Sequence, residues 1–305
     1  MMQLDQLAQA LQRSFPDIGV VAPLTMCGLG FNSLAVETAG GIIFRIARHA
    51  AVGERYAKER QLLPVLKSYL PVAIPEPQWY IPSSADFPFG VIGYRKLPGV
   101  PLEPDRLTAS AAREIAAQIG NIILTLQRVP VDGLPAGNPR ADWEAQRDKV
   151  LPALRTALTV KEYEAVARWW EDLLADERML SYTPVLQHGD LWYENLLVEE
   201  IHICGIVDFE QVGIGDPALD FTPQLYLGET FLNWVIAAYR KAGGVLDSHF
   251  DHRLRRLWAR REFGGLQYAI EHNDRAEFDD SIAKLRKGAI LSTTDGWRRD
   301  WANTI

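Results

Sequence analysis

Two short stretches decide how this chain is expected to fold around a site: His188-Gly-Asp-Leu-Trp-Tyr-Glu-Asn195 and Ile206-Val-Asp-Phe-Glu210. The first follows a short apolar run that predicts a strand, and the second places Asp208 at the end of another predicted strand. The apolar residues between the two stretches predict a hairpin, which brings the two loops together. Asp190, Asn195 and Asp208 then offer carboxylate and amide oxygens, the ligands that Mg²⁺ prefers.

The spacing of these residues is typical of phosphoryl transfer. His-x-Asp-x-x-x-x-Asn is the spacing of the protein-kinase catalytic loop, and Asp208 stands where kinases have a metal-binding Asp. The remaining carboxylate, Asp190, is then expected to face the acceptor hydroxyl. Asp and Asn often serve only as turn or capping residues, but the joint spacing between predicted strands favours the catalytic interpretation. For His188 we expect a packed, hydrogen-bonded scaffold role rather than acid or base chemistry.

The same residues, written HGDLWYEN and IVDFEQVGIGDPALDF, resemble the aminoglycoside phosphotransferase family. That family also includes macrolide, homoserine, choline and related small-molecule kinases, and the resemblance extends over most of the chain. It implies that Asp190 is the catalytic base and that Asn195 and Asp208 hold Mg²⁺. Gly215-Asp-Pro217 and Asp220 match the family's GDPxxD element, which we expect to support the catalytic loop.

The order of predicted elements is that of an α+β protein. A helix is expected over residues 3–14, followed by a segment rich in glycine and β-branched residues that contains a hairpin between 34 and 46. From about residue 105 the pattern becomes helical. Short strands interrupt it at 184–187, 196–199 and 203–208.

Together with this order of elements, the resemblance implies a protein-kinase-like fold of two lobes. A Pro-rich stretch and an apolar strand that ends at Leu97-Pro-Gly99 mark the expected boundary. We expect a small β-rich nucleotide-binding lobe over residues 1–98 and a larger, mainly helical catalytic and substrate-binding lobe over residues 99–305.

Candidate nucleotide-binding residues lie in the first lobe. The glycine turn Gly28-Leu-Gly30-Phe-Asn-Ser33 can let backbone N–H groups approach phosphates. By resemblance, Arg45 stands on the strand where kinases carry a phosphate-facing Lys, and its expected acidic partner in the next helix is Glu59, with Glu54 as the alternative. The other interpretation is an ordinary surface pair, which stabilises a protein little.

The hinge between kinase lobes is matched by Gly93-Tyr-Arg-Lys-Leu97, so the resemblance implies that Tyr94, Arg95 and Lys96 lie against the nucleotide base. Mg²⁺ and ATP or GTP are the expected cofactors. The replacement of the usual Lys by the forked guanidinium of Arg45 leaves open how the phosphates are held and which nucleotide is used. Trp192 occupies the place where protein kinases have a Lys, which argues against protein-kinase activity, and Glu210 replaces a Gly.

Composition and charge describe a globular protein that binds small molecules. Of 305 residues, 48% are hydrophobic, and the formal net charge of −7 argues against a nucleic-acid partner. The two cysteines do not form a disulfide framework. The amphipathic N-terminus does not read as a signal peptide, and no stretch of sequence is apolar enough to span a membrane. We therefore expect a cytoplasmic monomer without nucleic-acid or membrane partners.

The acceptor is the least determined part of the prediction. We expect an O-phosphotransferase for an aminoglycoside or a similar antibiotic, with a role in resistance, because acids along the C-terminal helices would attract a cation. The candidate residues are Glu229, Glu262, Glu271 and Asp274. Aromatic residues in the same helices could instead shape an apolar pocket, as for a macrolide. A metabolic kinase for an amino alcohol, sugar or amino acid, and a nucleotide-binding module without catalysis, remain the alternatives.

Overall fold

The computed structural model describes residues 3–130 and 136–292. By its internal contacts the chain divides into two compact units. The first unit comprises Met1–Leu102 and Glu194–Val212, and the second comprises Glu103–Tyr193 and Gly213–Ile305. Parts of both predicted lobes, residues 1–2, 131–135 and 293–305, lie outside the described residues. No helix within the described ranges is both long and apolar enough to cross a bilayer.

In the described part of the chain, the first unit contains a five-stranded antiparallel sheet with the strand order β1-β2-β3-β5-β4. Its strands are β1 (Thr25–Leu29), β2 (Ser33–Glu37), β3 (Ile42–Ala47), β4 (Trp79–Ile81) and β5 (Val91–Arg95). The predicted hairpin between residues 34 and 46 is confirmed as β2–β3, and Gly41 closes its turn with φ +71°. A left-handed backbone of this kind favours glycine, because a Cβ atom would be strained there.

Two helices accompany this sheet. The predicted N-terminal helix is confirmed as α1 (Leu4–Ser14), whose buried residues Leu7 and Leu11 join the core formed with Phe44 of β3. The helix α2 (Ala50–Leu66) buries Val52, Tyr56 and Glu59. The apolar face of α1 completes a hydrophobic core. The buried acid Glu59 on α2 needs a cationic partner, because an unpaired buried charge is costly.

A second sheet brings the segment 194–212 into the first unit. It has the order β6-β8-β9, with β6 (Val100–Pro101), β8 (Leu196–Glu199) and β9 (His202–Ile206). The predicted strand at 196–199 is confirmed. The strand predicted over 203–208 is wrong at its end, because β9 stops at Ile206 and Asp208 has the left-handed φ of +62°. A left-handed residue cannot continue a strand, so Asp208 lies on a turn beyond it.

The second unit is mainly helical, as predicted. Its helices are α3 (Ala109–Gln127), α4 (Pro139–Ala157), α5 (Val160–Ala175), α6 (Glu229–Lys241), α7 (Phe250–Arg260), α8 (Glu262–His272) and α9 (Arg275–Lys287). The apolar face of α3 is buried at Ile115, Ile119, Ile122, Ile123 and Leu126. The short strands β7 (Val185–Gln187) and β10 (Gly213–Gly215) pair antiparallel at the base of the loop that carries Asp190.

Candidate active site

The loop that carries Asp190 is fixed by a buried carboxylate within the second unit. Asp220 is 1% exposed, and its two oxygens accept hydrogen bonds from the backbone N–H groups of His188 (2.9 Å) and Gly189 (2.8 Å). Gly189 has φ +85°, a conformation in which a side chain would be strained. The prediction that the GDPxxD element supports the loop is therefore confirmed for Asp220.

His188 is a scaffold residue, as predicted. It is fully buried, and its Nδ1 accepts a hydrogen bond from the backbone N–H of Asp190 at 3.2 Å. The backbone carbonyl of Asp190 in turn accepts from the N–H of Trp192 at 3.0 Å. These bonds set the backbone on both sides of Asp190, whose side chain is only partly buried. These hydrogen bonds fix the backbone that carries the Asp190 carboxylate.

Two further supporting residues of this unit, Gln224 and Arg253, were not identified from the sequence. The side-chain amide of Gln224 donates to the carbonyl of Leu191 at 2.6 Å, which holds the loop at the residue that follows Asp190. Asp216, the other acid of the GDPxxD element, accepts from Arg253 at 2.8 Å, and Arg253 also pairs with Asp247. Arg253 is fully buried. Its position on an arginine-rich helix gave no indication of this role.

The environment of Asp220 predicts a pH-dependent stability. Burial raises the pKa of Asp220 from 3.8 to about 6, although the N–H groups of His188 and Gly189 oppose this shift. The folded state therefore holds a proton that the unfolded chain releases, and this contribution to stability is complete below about pH 3.8 and lost as the pH rises through about 6. We expect the free energy of unfolding to fall by ~1.4 kcal/mol for each pH unit across this window from this group alone.

Urea unfolding of the wild-type protein and of Asp220→Asn, at steps from pH 4 to pH 8, tests this expectation. Between pH 4 and about pH 6 the wild-type free energy of unfolding should fall by up to ~1.4 kcal/mol per pH unit relative to that of Asp220→Asn, and above about pH 7 the two curves should run parallel. The exposed Asp17→Asn is the matched control, which should follow the wild-type slope. Parallel curves for Asp220→Asn over the whole range would show that the carboxyl titrates normally.

The first unit contains a buried ion-pair cluster around Arg45. One guanidinium nitrogen of Arg45 donates to both oxygens of Glu59 at 3.0 Å, and the other donates to Asp208 (2.8 Å) and Glu210 (3.0 Å). Arg55 donates to the second oxygen of Glu210. Arg45 and Glu59 are 4% and 1% exposed, so the predicted pair is present and is not an ordinary surface pair. Glu54, the alternative partner, is exposed.

This cluster contains three acids and two guanidinium groups, because Glu59, Asp208 and Glu210 face Arg45 and Arg55. Burial raises the pKa of Glu59 to about 7, with Arg45 acting in the opposite direction and the neighbouring acids reinforcing the shift. Burial also raises the pKa of Glu210. A cation placed beside these acids would favour their charged form and oppose the rise in their pKa values.

The forked geometry of Arg45 is expected to be essential to this cluster. A lysine ammonium is a single point charge and cannot reproduce two bonds to Glu59 together with bonds to Asp208 and Glu210. Arg45→Lys should therefore leave a buried carboxylate poorly paired, and we expect it to lower the free energy of unfolding by about 3 kcal/mol. Chemical denaturation of this variant, beside Arg178→Lys at an exposed ion pair, provides the measurement. A loss of similar size in both variants would contradict the argument.

Asn195 and Asp208, the predicted metal ligands, both belong to the first unit. Asn195 is buried, and its backbone carbonyl accepts from the N–H of Val207 at 2.9 Å, next to Asp208. The side chain of Asp208 is 43% exposed even though one of its oxygens accepts from Arg45. Among residues 3–130 and 136–292, no group of at least three His, Cys, Asp or Glu side chains is placed to hold a metal. The two predicted ligands, one amide and one carboxylate, are of the kind that Mg²⁺ binds when phosphate and water oxygens complete its shell.

The other predicted nucleotide-binding residues lie on the five-stranded sheet. Gly28 lies at an irregularity of β1, and the N–H of Gly30 donates to the carbonyl of Ser33 at 3.0 Å, which closes the glycine turn. Arg48, which sequence reasoning did not single out, donates to the carbonyl of Gly30 at 2.6 Å and so holds this turn from the end of β3. These contacts shape the turn without using a side chain of the turn itself.

The residues of the predicted hinge have structural partners. Tyr94 is buried on β5, and burial raises its pKa. Arg95 lies over the ring of Trp79 at 5.9 Å. The N–H of Lys96 donates to Gly41, and its ammonium pairs with Glu37 at 2.8 Å. A role of these residues toward a nucleotide base stays a prediction.

The acids predicted to attract a cationic acceptor are all engaged by partners in the second unit. Glu229 pairs with Arg255 at 2.9 Å, and Glu262 pairs with its neighbour Arg261 at 2.9 Å. Glu271 lies 3.3 Å from the ammonium of Lys149. The side chain of Asp274 caps α9 by accepting from the N–H of Glu277. Each of these acids therefore has a local role that the sequence pattern did not reveal.

Comparison with known families decides between the functional classes. The model of the phosphotransferase enzyme family, APH, matches residues 28–261. The chain belongs to this family. The predicted family is therefore confirmed, and with it a phosphotransferase that acts on hydroxyl groups; a nucleotide-binding module without catalysis is not supported. The matched range includes both the glycine turn and the catalytic loop of this phosphotransferase.

Individual relatives agree with this assignment. The chain is 27% identical over 201 residues to viomycin phosphotransferase of Streptomyces vinaceus, an overlap of 63% of this chain and 68% of that protein. Among solved structures, the GDP and kanamycin complex of an APH(2″) enzyme has a TM-score of 0.82 at 24% identity and covers 93% of this chain and 98% of its own. The macrolide 2′-phosphotransferase of Brachybacterium faecium has a TM-score of 0.68 at 24% identity, with 91% and 98% covered. The predicted kinase-like α+β fold is confirmed.

Proposed function

We propose that this phosphotransferase transfers the γ-phosphoryl group of ATP or GTP to a hydroxyl group of an antibiotic. The observation that carries the proposal is the presentation of Asp190 on a loop fixed by Asp220 and His188, in the spacing that phosphoryl transfer requires. The similarity to a viomycin phosphotransferase supports an antibiotic acceptor. The likeness to enzymes solved with GDP and kanamycin, and to a macrolide phosphotransferase, supports the same class.

In the proposed reaction, the acceptor oxygen attacks the γ-phosphorus while the bond from that phosphorus to the β,γ-bridging oxygen breaks. The hydroxyl proton passes to the carboxylate of Asp190, which orients the hydroxyl first and accepts its proton as the transfer proceeds. The products are the phosphate ester and a nucleoside diphosphate. Asp220 acts only through the backbone, since its bonds to His188 and Gly189 keep the loop in place.

Asn195 and Asp208 would hold Mg²⁺, which neutralises charge on the transferring phosphates when it is bound. The amide and carboxylate pair fits that ion, and the partial exposure of Asp208 leaves its carboxylate accessible. Arg45 would keep Asp208 in position through the bond between its guanidinium and that carboxylate. The glycine turn held by Arg48 would receive the phosphates through its backbone N–H groups.

We also propose that the two lobes have different functions. Residues 1–98 would bind the nucleotide, with Gly28, Gly30, Ser33 and the hinge residues contributing, and residues 99–305 would carry catalysis and bind the acceptor. A cytoplasmic location, a monomeric state and the lack of nucleic-acid and membrane partners stay predictions.

A phosphorylation screen tests the proposal. The purified protein is assayed with kanamycin, a macrolide and viomycin, and with choline, homoserine and glucose as metabolic acceptors, each with ATP and with GTP. We expect at least one antibiotic to have a kcat/KM about a hundredfold above every metabolic acceptor, a preference of ~2.7 kcal/mol. Efficient phosphorylation of a metabolic acceptor alone would establish a metabolic kinase instead.

A further inference from the structure

A cavity lies within the second unit, below the loop that carries Asp190. Its volume is about 210 Å³, and it is partly open to solvent. A single water needs only ~15 Å³ of such space, so the cavity has room for a small organic molecule. Its walls come from the first turns of α4, the strands β7 and β10, and the last turn of α7. Asp190 is not among the residues that line it, so this cavity is separate from the reacting carboxylate.

Gln187, at the end of β7, lines the cavity with a polar group that is not satisfied. The residue is 9% exposed, and its Oε1 has no hydrogen-bond partner among residues 3–130 and 136–292. A buried amide oxygen without a partner is costly, and most such groups in folded proteins are bonded to protein or to a bound molecule. An O–H or N–H donor that enters the cavity would therefore be stabilised by Gln187.

A guanidinium group lines the same cavity. Nη1 of Arg260 donates to the side-chain oxygen of Gln146, whereas its buried Nε has no partner within the described part of the chain. Burial lowers the pKa of Arg260 to about 10, and the exposed Asp142 acts in the opposite direction. Guanidinium groups bind carboxylates through two parallel N–H bonds. Arg260 thus offers a positive charge and an unused donor to an anion.

The rest of the wall is mostly apolar. Trp143 and Leu257 are buried and line the cavity. Asp216 also lines it, but the two oxygens of this acid already accept from Arg253 (2.8 Å) and from the N–H of Ala218 (2.9 Å). An apolar wall with a few placed polar groups is the usual composition of a small-ligand site.

We propose that this cavity binds a small cyclic hydroxy acid, whose carboxylate pairs with Arg260 and whose hydroxyl group donates to Gln187. The apolar wall would cover the ring of that molecule. A neutral alcohol would leave Arg260 without a counter-ion, and an acid without a hydroxyl group would leave Gln187 unpaired. The site is additional to the nucleotide and acceptor sites of the proposed function.

Titration of the wild-type protein with 3-hydroxybenzoate and 4-hydroxybenzoate tests this chemistry without any substitution. Calorimetry in the absence of nucleotide measures Kd, so the result does not depend on phosphoryl transfer. We expect a Kd below about 1 mM for at least one of the two isomers. Benzoate lacks the hydroxyl group and 4-hydroxybenzyl alcohol lacks the carboxylate, and each should bind at least about tenfold more weakly.

Substitutions then locate the bound molecule. Arg260→Met and Gln187→Met each remove one polar group and keep a side chain of similar length. The matched control is Arg255→Met, which removes an exposed arginine of α7 that pairs with Glu229 outside the cavity. We expect Arg260→Met and Gln187→Met each to raise Kd for the better hydroxybenzoate about tenfold, and the control to match the wild-type protein. The same hydroxybenzoate should raise the Tm of the wild-type protein and of the control, and raise that of Arg260→Met less.

Each outcome decides the matter. If both hydroxybenzoates bind more weakly than about 1 mM, the cavity holds only water and the proposed site is overturned. Equal affinity in the wild-type protein, Arg260→Met and Gln187→Met would place the bound molecule elsewhere and would also overturn it. If one variant does not fold, the other variant and the wild-type series of probes supply the same decision. A negative result leaves the proposed function intact, because none of these measurements involves phosphoryl transfer.

Discussion

Asp190→Asn is expected to reduce the rate of phosphoryl transfer by about 10³-fold, within the range of ~10²–10⁴ that general-base catalysis contributes. An amide has nearly the same shape as a carboxylate but cannot take the hydroxyl proton. The bonds that fix the loop use the backbone of Asp190 and the side chains of Asp220 and His188, so the substitution leaves them intact. Nucleotide affinity should therefore stay close to the wild-type value, and single-turnover kinetics beside calorimetry would measure the two quantities separately.

Glu194→Gln is the control for this experiment, because it removes an exposed carboxylate from the same loop. It should keep a wild-type rate if the effect at position 190 is chemical rather than a general loss of negative charge. A near-normal kcat for purified Asp190→Asn would remove Asp190 from its assigned role. It would also leave the proposed reaction without a base.

Asp208→Ala is expected to abolish most of the Mg²⁺-dependent affinity for nucleotide, with a loss of at least about 30-fold, or ~2 kcal/mol. The amide of Asn195 alone cannot replace a carboxylate on a hard cation. The fold should survive, because Arg45 keeps its bonds to Glu59 and Glu210. Calorimetric titration of the nucleotide with and without Mg²⁺ provides the measurement, and an unchanged Mg²⁺-dependent affinity would contradict the assignment.

Asp208→Asn separates charge from backbone strain in this experiment. Asp208 has φ +62°, and alanine tolerates a left-handed backbone less well than asparagine does. Asp208→Asn keeps a residue suited to that conformation and removes only the negative charge. Both variants should lose Mg²⁺-dependent affinity to a similar extent. If only Asp208→Ala loses it, the backbone and not the carboxylate explains the effect.

The positions of the local elements followed from the sequence. The hairpin β2–β3, the helix α1 and the strand at residues 196–199 are formed by residues close in the chain, whose alternation and turn chemistry specify them. The predicted end of the strand before Asp208 was wrong, because apolar composition does not show where the backbone adopts a left-handed conformation. The support of the loop by Asp220 could be predicted because family resemblance supplied the spacing.

The partners of charged side chains could not be predicted in the same way. Arg45 and Glu59 are fourteen positions apart on adjacent elements, which made that pair accessible to sequence reasoning. Asp208 and Glu210 reach the same guanidinium from 163 and 165 positions away, and no local pattern predicts that contact. The acids Glu229, Glu262, Glu271 and Asp274 looked like a surface for a cation in the sequence, whereas in the folded chain each one has a partner of its own.

The sequence by itself determined the chemistry of this protein: the spacing of Asp190, Asn195 and Asp208 and the GDPxxD element place it among phosphotransferases. Only the tertiary structure decided which partners the charged side chains have within the fold. The physical reason is that a bond between neighbours in the chain is specified by local geometry, whereas the effect of a charge depends on burial and on partners that long-range packing brings to it.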